Sequence, residues 1–344
     1  MSSFKKSLVL FSVSIVVSLV LAELIVRLFV PQETKRLAVY DTELGWRGKP
    51  GGSGVYIRKE DSINVPFQYN AMGFRDDEVR PRNSVAKRIL FLGDSFVENL
   101  EVSYEKMFVP LVRKRIADAT ASRVDLVALS SQGYSTAQEL LAYRKYREEL
   151  RPDYVVLFFY TGNDFEDNLR PDFAYLDSNG TLVFPENTTS WMKQQLLSFK
   201  RWLYESSYLV FYVKNAIESY AAVNLGDESK HTAVGSEGYR NEITRTLILE
   251  MRRSVEEHGG KFALVIFTNK YELRENRLDN TAFIKQVCDE AGIHWTDATA
   301  LFSDEHFFRI DEHFSEAGHE VVAERVYDFL VRTFPLGIDA ASSR

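Results

Sequence analysis

The chain has 344 residues, of which 45% are hydrophobic and 26% are charged, and its formal net charge is −7. This length accommodates one large α/β domain with extensions or two small domains. The negative charge, without a basic stripe interleaved with aromatic residues, argues against a nucleic-acid-binding protein. The single cysteine, Cys288, excludes an internal disulfide and a multi-cysteine metal site, and we expect it to be a buried thiol.

Residues 1–30 differ from the rest of the chain. Two lysines precede an uncharged apolar run over 7–22, and after Glu23 the apolar character resumes, reaching the roughly 20 residues that span a bilayer. Two interpretations compete: a signal peptide cleaved after Ala22, or a signal anchor, which we favour because apolar spacing continues past that point. In both cases we expect the body of the protein to be exported. Glu23 and Arg27, four residues apart on a helix, are spaced to form an ion pair.

Residues 31–86 are rich in proline, glycine and charge. We interpret them as a lead-in segment that packs on the main domain rather than as a free linker, because Phe67, Tyr69 and Phe74 need burial. The main domain is predicted to cover residues 87–335.

The main domain alternates between strand and helix patterns. The predicted elements are strands at 88–92, 124–129 and 153–160, with helices at 104–119 (or from Phe108, which places Pro110 in the first turn) and 135–150. An insertion over about 165–237 contains a hairpin at 173–184 and an aromatic-rich helical stretch at 190–222. The alternation resumes with helices at 238–258, 281–291 and 315–333 and strands at 261–267 and 293–295. This order predicts βαβ units and a parallel sheet.

Each of the first three strands is followed by a segment that carries chemistry: Gly93-Asp94-Ser95, then Gly133, then Gly162-Asn163-Asp164. The carboxyl ends of parallel strands meet at one edge of a sheet. If the first strand lies between the other two, as in flavodoxin-like order, Ser95 is flanked by Gly133 and Asn163.

These segments supply what a serine hydrolase needs. Ser95 is the candidate nucleophile, and His313, directly before the last helix, is the candidate base that activates it. Asp311 is positioned to hold the productive tautomer of that histidine. The backbone N–H groups of Ser95 and Gly133 and the side-chain amide of Asn163 are candidate donors to an oxyanion.

The letters DEHF occur twice, at 304–307 and 311–314. We choose the second copy for the base because Ser315 offers a helix cap directly after it. Asp94 is interpreted as a turn-stabilising acceptor, and His319 is expected to face solvent or its helix neighbours. His231, His258 and His294 have no partners at metal-binding spacing, so no metal site is predicted.

The residues resemble the GDSL/SGNH hydrolase superfamily over about 88–333, with Ser95, Gly133, Asn163 and His313 matching the residues for which it is named. The resemblance implies a flavodoxin-like three-layer α/β/α fold and esterase or acyl-transfer activity without a cofactor. The spacing Asp311-x-His313 departs from the common Asp-x-x-His and is similar to members that act on acetyl groups of exported polysaccharides. The lack of an asparagine upstream of Gly133 makes that donor the weakest match.

The leading hypothesis is an exported, membrane-anchored serine esterase that cleaves or transfers a short acyl group of a carbohydrate or a lipid. The alternative is a non-hydrolytic envelope protein of the same fold that binds exported polysaccharide. A phosphate- or nucleotide-binding module is disfavoured, because Asp94 and Asp164 place negative charge where a phosphate would bind. The aromatic residues of the insertion are interpreted as packing, with an acyl pocket or a membrane-contacting surface as alternatives. The sequence predicts no oligomeric state.

Overall fold

The computed structural model describes residues 3–29, 37–58, 61–121, 123–185, 236–300 and 302–337, with residues 195, 196, 199, 200, 202, 203, 206–214 and 217 of the insertion. The chain divides into two compact units. One comprises Met1–Lys35 and Thr188–Ala233, and the other comprises Arg36–Asn187 and Val234–Arg344. Residues 165–187 of the predicted insertion therefore belong to the second unit.

The first unit contains helix α1 (Ser3–Phe29). Its segment Val9–Phe29 is long and apolar enough to cross a membrane, a property that a membrane anchor and a signal sequence share. Most apolar side chains along this segment are exposed, so within the described residues they lack the packing that a buried core helix would have.

The regular elements of the second unit follow in chain order. The strands are β1 (Ala38–Asp41), β2 (Gly45–Gly48), β3 (Ser53–Arg58), β4 (Ile63–Gln68), β5 (Lys87–Gly93), β6 (Val124–Ser130), β7 (Tyr154–Tyr160), β8 (Tyr175–Leu176), β9 (Leu182–Val183), β10 (Lys261–Phe267) and β11 (His294–Asp297). The helices are α2 (Ser95–Glu98), α3 (Phe108–Thr120), α4 (Thr136–Leu150), α5 (Asp164–Asp167), α6 (Glu237–Glu257), α7 (Lys270–Glu275), α8 (Asp279–Ala291) and α9 (Glu316–Thr333).

A five-stranded parallel sheet forms the centre of this unit, with the order β11-β10-β7-β5-β6. Numbered along the chain within the sheet, this is the flavodoxin-like order 2-1-3-4-5. The predicted α/β class and the position of the first sheet strand between the next two are confirmed. The Ser95 turn consequently lies between the turns that carry Gly133 and Asn163.

Helices cover both faces of the sheet, which makes three layers. Ile89 and Phe91 of β5 pack in one apolar cluster with α3 and α9. Leu90 and Leu92, which alternate with them, pack in a second cluster with α4, α6 and α8. Every residue of β6 and β7 is buried, as expected for central parallel strands covered on both faces.

The lead-in segment folds into two antiparallel hairpins, β1–β2 and β3–β4, which the sequence analysis did not predict. Phe67, Tyr69 and Phe74 are buried. Gly73 adopts φ +84°, and a Cβ atom there would lie 2.2 Å from the carbonyl oxygen of Gly48, so only glycine fits this crossing.

The start of α3 matches one of its two predictions, whereas one short helix was not predicted. Helix α3 begins at Phe108 with Pro110 in its first turn, as the later of the two predicted starts required. Ser103 consequently precedes only a short 3₁₀ turn, Tyr104–Lys106, and does not cap α3. The short helix α7 was not predicted. Cys288 is buried as expected, and burial raises the pKa of its thiol to about 12.

Candidate active site

The turn after β5 carries the candidate nucleophile. Asp94 is the N-cap of α2, and its Oδ1 accepts a hydrogen bond of 2.9 Å from the backbone N–H of Phe96. Ser95 is the first residue of that helix and is half-buried. Asp94 is therefore the turn-stabilising acceptor that the sequence suggested. A Cβ atom at Gly93 would lie 2.3 Å from Cγ2 of Val97, so this tight turn requires glycine.

Asp311 and His313 form a hydrogen-bonded pair. Oδ1 of Asp311 accepts from Nδ1 of the imidazole at 2.5 Å and from the backbone N–H of His313 at 2.8 Å. One carboxylate oxygen of Asp311 thus binds both the imidazole ring and the backbone N–H of His313. The Asp-x-His spacing permits this arrangement. Because Nδ1 donates, Nε2 is left as the basic nitrogen, and it has no hydrogen-bond partner among the described residues.

The imidazole lies beside the nucleophile turn. The rings of His313 and Phe96 pack with their centroids 4.7 Å apart, and Phe96 directly follows Ser95. Phe96 also packs on Tyr160 at the end of β7, at 3.8 Å between centroids, and the Tyr160 hydroxyl donates to Glu312 at 2.7 Å. The fold therefore brings the Ser95 turn, the end of β7 and the His313 loop to one edge of the sheet.

The loop that carries Gly133 is held from both sides. The backbone N–H of Gln132 donates to Oε2 of Glu98, the last residue of α2, at 2.8 Å, and Nε1 of Trp46 donates to the Gln132 carbonyl at 3.0 Å. Gly133 itself adopts φ +70°, and its N–H donates to no described residue. The loop is thereby tied to the helix that Ser95 begins.

Asn163 is positioned by an acid and an arginine. Its Nδ2 donates to Oδ2 of Asp167 at 2.7 Å, and Asp167 also pairs with Arg170 at 2.5 Å. Arg170 donates to the carbonyl of Gly133 at 2.8 Å. One guanidinium therefore links the loops of two predicted oxyanion donors. Neither Asp167 nor Arg170 was singled out in the sequence.

Three fully buried carboxyl groups lie behind these loops: Asp94, Glu139 and Asp164. Burial raises the pKa of each, and the charges of Asp94 and Asp167 raise the pKa of Glu139 and of Asp164 further. The backbone N–H of Phe96, the charge of His313 and the Asn163 side chain act in the opposite direction on Asp94. Both oxygens of Glu139 lack a partner among the described residues, so we expect it to be protonated at neutral pH.

Three residues from outside the predicted site surround the Asp311–His313 pair. Arg58, at the end of β3, donates to Oδ2 of Asp311. Asp61 accepts from the backbone N–H groups of Ile310 and Asp311, each at 3.0 Å. Glu101 is buried, with Oε1 3.7 Å from Nδ1 of His313. The hairpin β3–β4 thus supports the His313 loop, which no local sequence pattern indicated.

The charges around Asp311 and His313 shift the pKa values of both residues. Burial lowers the pKa of His313, but the negative charges of Glu101, Asp311 and Asp94 outweigh it and raise the pKa to about 9. Burial raises the pKa of Asp311, but its bonds to His313 and the charge of Arg58 outweigh it and lower the pKa to about 2.

One group of described residues has the spacing of metal ligands. Ligand atoms of Glu101, Asp311 and His313 lie within 4.8 Å of one another. The Nδ1 atom of His313 is already hydrogen-bonded to Asp311. We therefore interpret this group as an acid–base cluster in which the carboxylates of Glu101 and Asp311 both lie beside the imidazole of His313.

The other histidines have different surroundings. In the first DEHF copy, Asp304 pairs with Arg274 at 2.5 Å, and Nδ1 of His306 accepts from the backbone N–H of Ser303 at 3.0 Å. The expectation that His319 faces solvent or its helix neighbours was wrong. It is fully buried, its Nδ1 accepts from the backbone N–H of Phe108 at 3.2 Å, and burial lowers its pKa to about 3.

No protein-family model and no curated protein matches the chain. Among solved structures, it is similar to a psychrotrophic esterase from Pseudoalteromonas sp., at 14% identity and a TM-score of 0.43, over 72% of this chain and 97% of that one. A lipase/acylhydrolase from Enterococcus faecalis has 16% identity and a TM-score of 0.40, over 71% and 95%. A GDSL-like lipase from Bacteroides thetaiotaomicron has 10% identity and a TM-score of 0.38, over 72% and 89%. The third description names the group that the sequence resembles.

Proposed function

We propose that this protein is a serine esterase that cleaves or transfers a short acyl group, with Ser95 as nucleophile, His313 as base and Asp311 as the residue that orients the base. The observation that carries the proposal is the Asp311–His313 hydrogen bond, 2.5 Å long, in a ring packed on the residue after Ser95. It leaves Nε2 as the nitrogen that can accept a proton.

The reaction follows from these roles. The Ser95 hydroxyl oxygen attacks the ester carbonyl while its proton moves to Nε2 of His313, and the charge of Asp311 stabilises the imidazolium. The N–H groups of Ser95 and Gly133 and the amide of Asn163 stabilise the oxyanion. Collapse breaks the ester bond, and His313 returns the proton to the departing alcohol. Water, or a second hydroxyl in a transfer reaction, then attacks the acyl-enzyme and releases Ser95.

We further propose that α1 is retained as a membrane anchor and that the second unit works outside the cytoplasm. The length and apolar surface of Val9–Phe29 support an anchor. The two lysines that precede this segment support export of the residues on its C-terminal side. Acetyl esters of carbohydrates are the first substrate class to test and lipid esters the second.

A fluorophosphonate probe tests the nucleophile directly. We expect the detergent-purified full-length protein to be labelled at Ser95, because the probe forms a bond only with a serine activated by a base. Ser95→Ala should abolish labelling and the hydrolysis of p-nitrophenyl acetate, whereas the neighbouring control Ser103→Ala should retain both. Labelling that persists in Ser95→Ala would contradict the assignment. A protein that binds polysaccharide but neither reacts with the probe nor hydrolyses esters would favour the non-hydrolytic alternative.

Glu101→Gln is expected to shift the acid limb of the pH profile of kcat/KM to lower pH. His313 accepts a proton only when neutral, so the wild-type limb should centre near its pKa of about 9. Removing a negative charge at this distance lowers such a pKa by about 1–3 units. Glu105→Gln, a change at an exposed neighbour, should leave the limb in place. An unmoved limb in Glu101→Gln would show that Glu101 does not act on the base.

A further inference from the structure

The described part of the insertion exposes an apolar surface. Six of its side chains are 47–66% exposed, and we call them the insertion face: Leu196, Phe199, Trp202, Tyr212, Val213 and Ile217. The first three stand at three-residue spacing, each at a position described as helical, and this spacing is typical of side chains on neighbouring turns of one helix side. Phe199 and Trp202 stack with centroids 5.8 Å apart. An exposed apolar set of this kind marks an interaction surface.

Hydrogen bonds join the described part of the insertion to α1 at Glu23 and Arg27. The carboxylate of Glu23 accepts hydrogen bonds from the Ser207 hydroxyl at 2.7 Å and from the backbone N–H groups of Tyr208 and Leu209 at 3.0 and 2.9 Å. It thereby caps the first turn of helical residues 208–214. Arg27 pairs with Glu23, donates to the Ser206 carbonyl at 2.8 Å and lies 4.9 Å from the centroid of the Tyr208 ring. We call this set the α1 tether.

The α1 tether lies near the C-terminal end of the apolar span of α1. Glu23 precedes Phe29, the end of the apolar span, by six residues, which is about 9 Å along a helix. Amphipathic helices that lie in the plane of a membrane bury their apolar side about 5–10 Å below the headgroup boundary. If α1 spans a bilayer with Phe29 at the boundary, the tether places the attached part of the insertion at the depth of the interface. Its charges are also mutually paired, which is the condition under which charged side chains are found within spans.

We propose that the insertion face binds the lipid bilayer that α1 spans, with the described helical residues 195, 196, 199, 200, 202, 203 and 208–214 lying along its surface. The proposal rests on retention of α1 as an anchor, and it is independent of the esterase chemistry. Trp202 and Tyr212 are of the side-chain types enriched at membrane interfaces. A bilayer is the occupant that the structure favours, because the face and the exposed apolar span belong to one unit and are joined by the tether.

Site-specific fluorescence in vesicles tests the proposal. Cys288→Ala provides a cysteine-free full-length chain, and Trp202→Cys, Lys200→Cys and Val16→Cys then each introduce one site for an environment-sensitive NBD label. The proteins are reconstituted in phosphatidylcholine/phosphatidylglycerol vesicles with or without doxyl-labelled lipid. We expect doxyl lipid to quench the labels at 202 and 16 at least twofold more than the label at 200, and aqueous iodide to quench in the reverse order.

The possible outcomes distinguish binding of the insertion face to the bilayer from retention of α1 as an anchor. Lipid quenching at 16 but not at 202 overturns the proposal and leaves the anchor intact. No quenching at either site overturns both. A label at 202 that is shielded from iodide without being quenched by doxyl lipid indicates a second copy or another protein as the occupant, and also overturns the proposal. Ester hydrolysis by the same samples reports separately on the active site.

The α1 tether has its own variant. Glu23→Leu removes the acceptor for three hydrogen bonds from the insertion and for one from Arg27, while keeping the span apolar. Lipid quenching at 202 should therefore fall at least twofold while quenching at 16 is unchanged. Unchanged quenching at both positions would show that the tether does not hold the insertion at the bilayer.

Discussion

Replacing His313 by alanine is expected to lower kcat for p-nitrophenyl acetate by about 10⁴-fold or more, because removing the base of a serine triad leaves only the oxyanion donors and substrate binding. The chain contains a matched control. His306 has the same flanking residues, Asp-Glu before and Phe after, but its ring stacks on Phe302 and its Nδ1 bonds to Ser303. His306→Ala should therefore leave kcat within about twofold, the usual consequence of losing a side chain remote from the reaction.

The effects of Ser95→Ala and His313→Ala on kcat should not be additive in free energy. If Ser95 and His313 act as one unit, the double variant Ser95→Ala/His313→Ala should be no slower than either single variant. Steady-state kinetics with circular dichroism as a check on folding measure all four proteins. A loss in His306→Ala as large as that in His313→Ala, or a double variant slower by the product of the single effects, would contradict the proposed roles.

Arg88→Met is expected to lower the free energy of unfolding by about 3–5 kcal/mol, the range for breaking a buried ion pair. Arg88 is the second residue of β5, the strand that precedes Ser95, and it is 1% exposed. Its guanidinium donates to Asp125 at 3.0 Å, to the carbonyl of Leu150 at 2.8 Å and to the carbonyl of Arg80. Methionine fills the space of the aliphatic stem but leaves the Asp125 carboxylate buried without its counter-charge.

Urea titration followed by tryptophan fluorescence measures this loss. The double variant Arg88→Met/Asp125→Leu should regain at least half of it, because no unpaired charge is then left in the interior. Arg253→Met, which removes an exposed arginine paired with Glu250 and Glu257, should leave the midpoint unchanged. If Arg88→Met lowers the free energy of unfolding by less than about 1 kcal/mol, the buried Arg88–Asp125 pair stabilises the protein no more than an exposed ion pair does, which would contradict this prediction.

The sheet was predictable because its strands are short apolar runs between helical patterns. The buried stretches of β5, β6, β7 and β10 carry that signal in their own residues, and the chain order of strands and helices predicts parallel pairing. The hairpin β3–β4 was missed because it depends on packing against the rest of the unit. Its strand β4 does alternate between buried and exposed positions, a pattern that the proline and glycine content of the segment obscured.

The candidate site was predictable only where the chemistry is local. The segments around Ser95, Gly133, Asn163 and His313 each carry a recognisable pattern beside a strand or a helix. Arg58 was not predictable, because the residue that it contacts, Asp311, is 253 positions away and no spacing rule connects them. His319 did have a usable signal, since it shares a helix face with Val322, Val326 and Leu330, all of them buried.

The support that the hairpin β3–β4 gives to the His313 loop has a practical consequence for anyone who trims this protein. A fragment that starts at β5 keeps the whole parallel sheet and every residue proposed to react. It loses Arg58 and Asp61, and with them the cation beside the Asp311 carboxylate and the acceptor for two backbone N–H groups of the loop. It also loses Leu44 and Phe74 from the apolar core that packs on the sheet. We therefore expect a fragment that starts at β5 to be less stable and to show less of the proposed activity, so a fragment for assays should begin upstream of the hairpins.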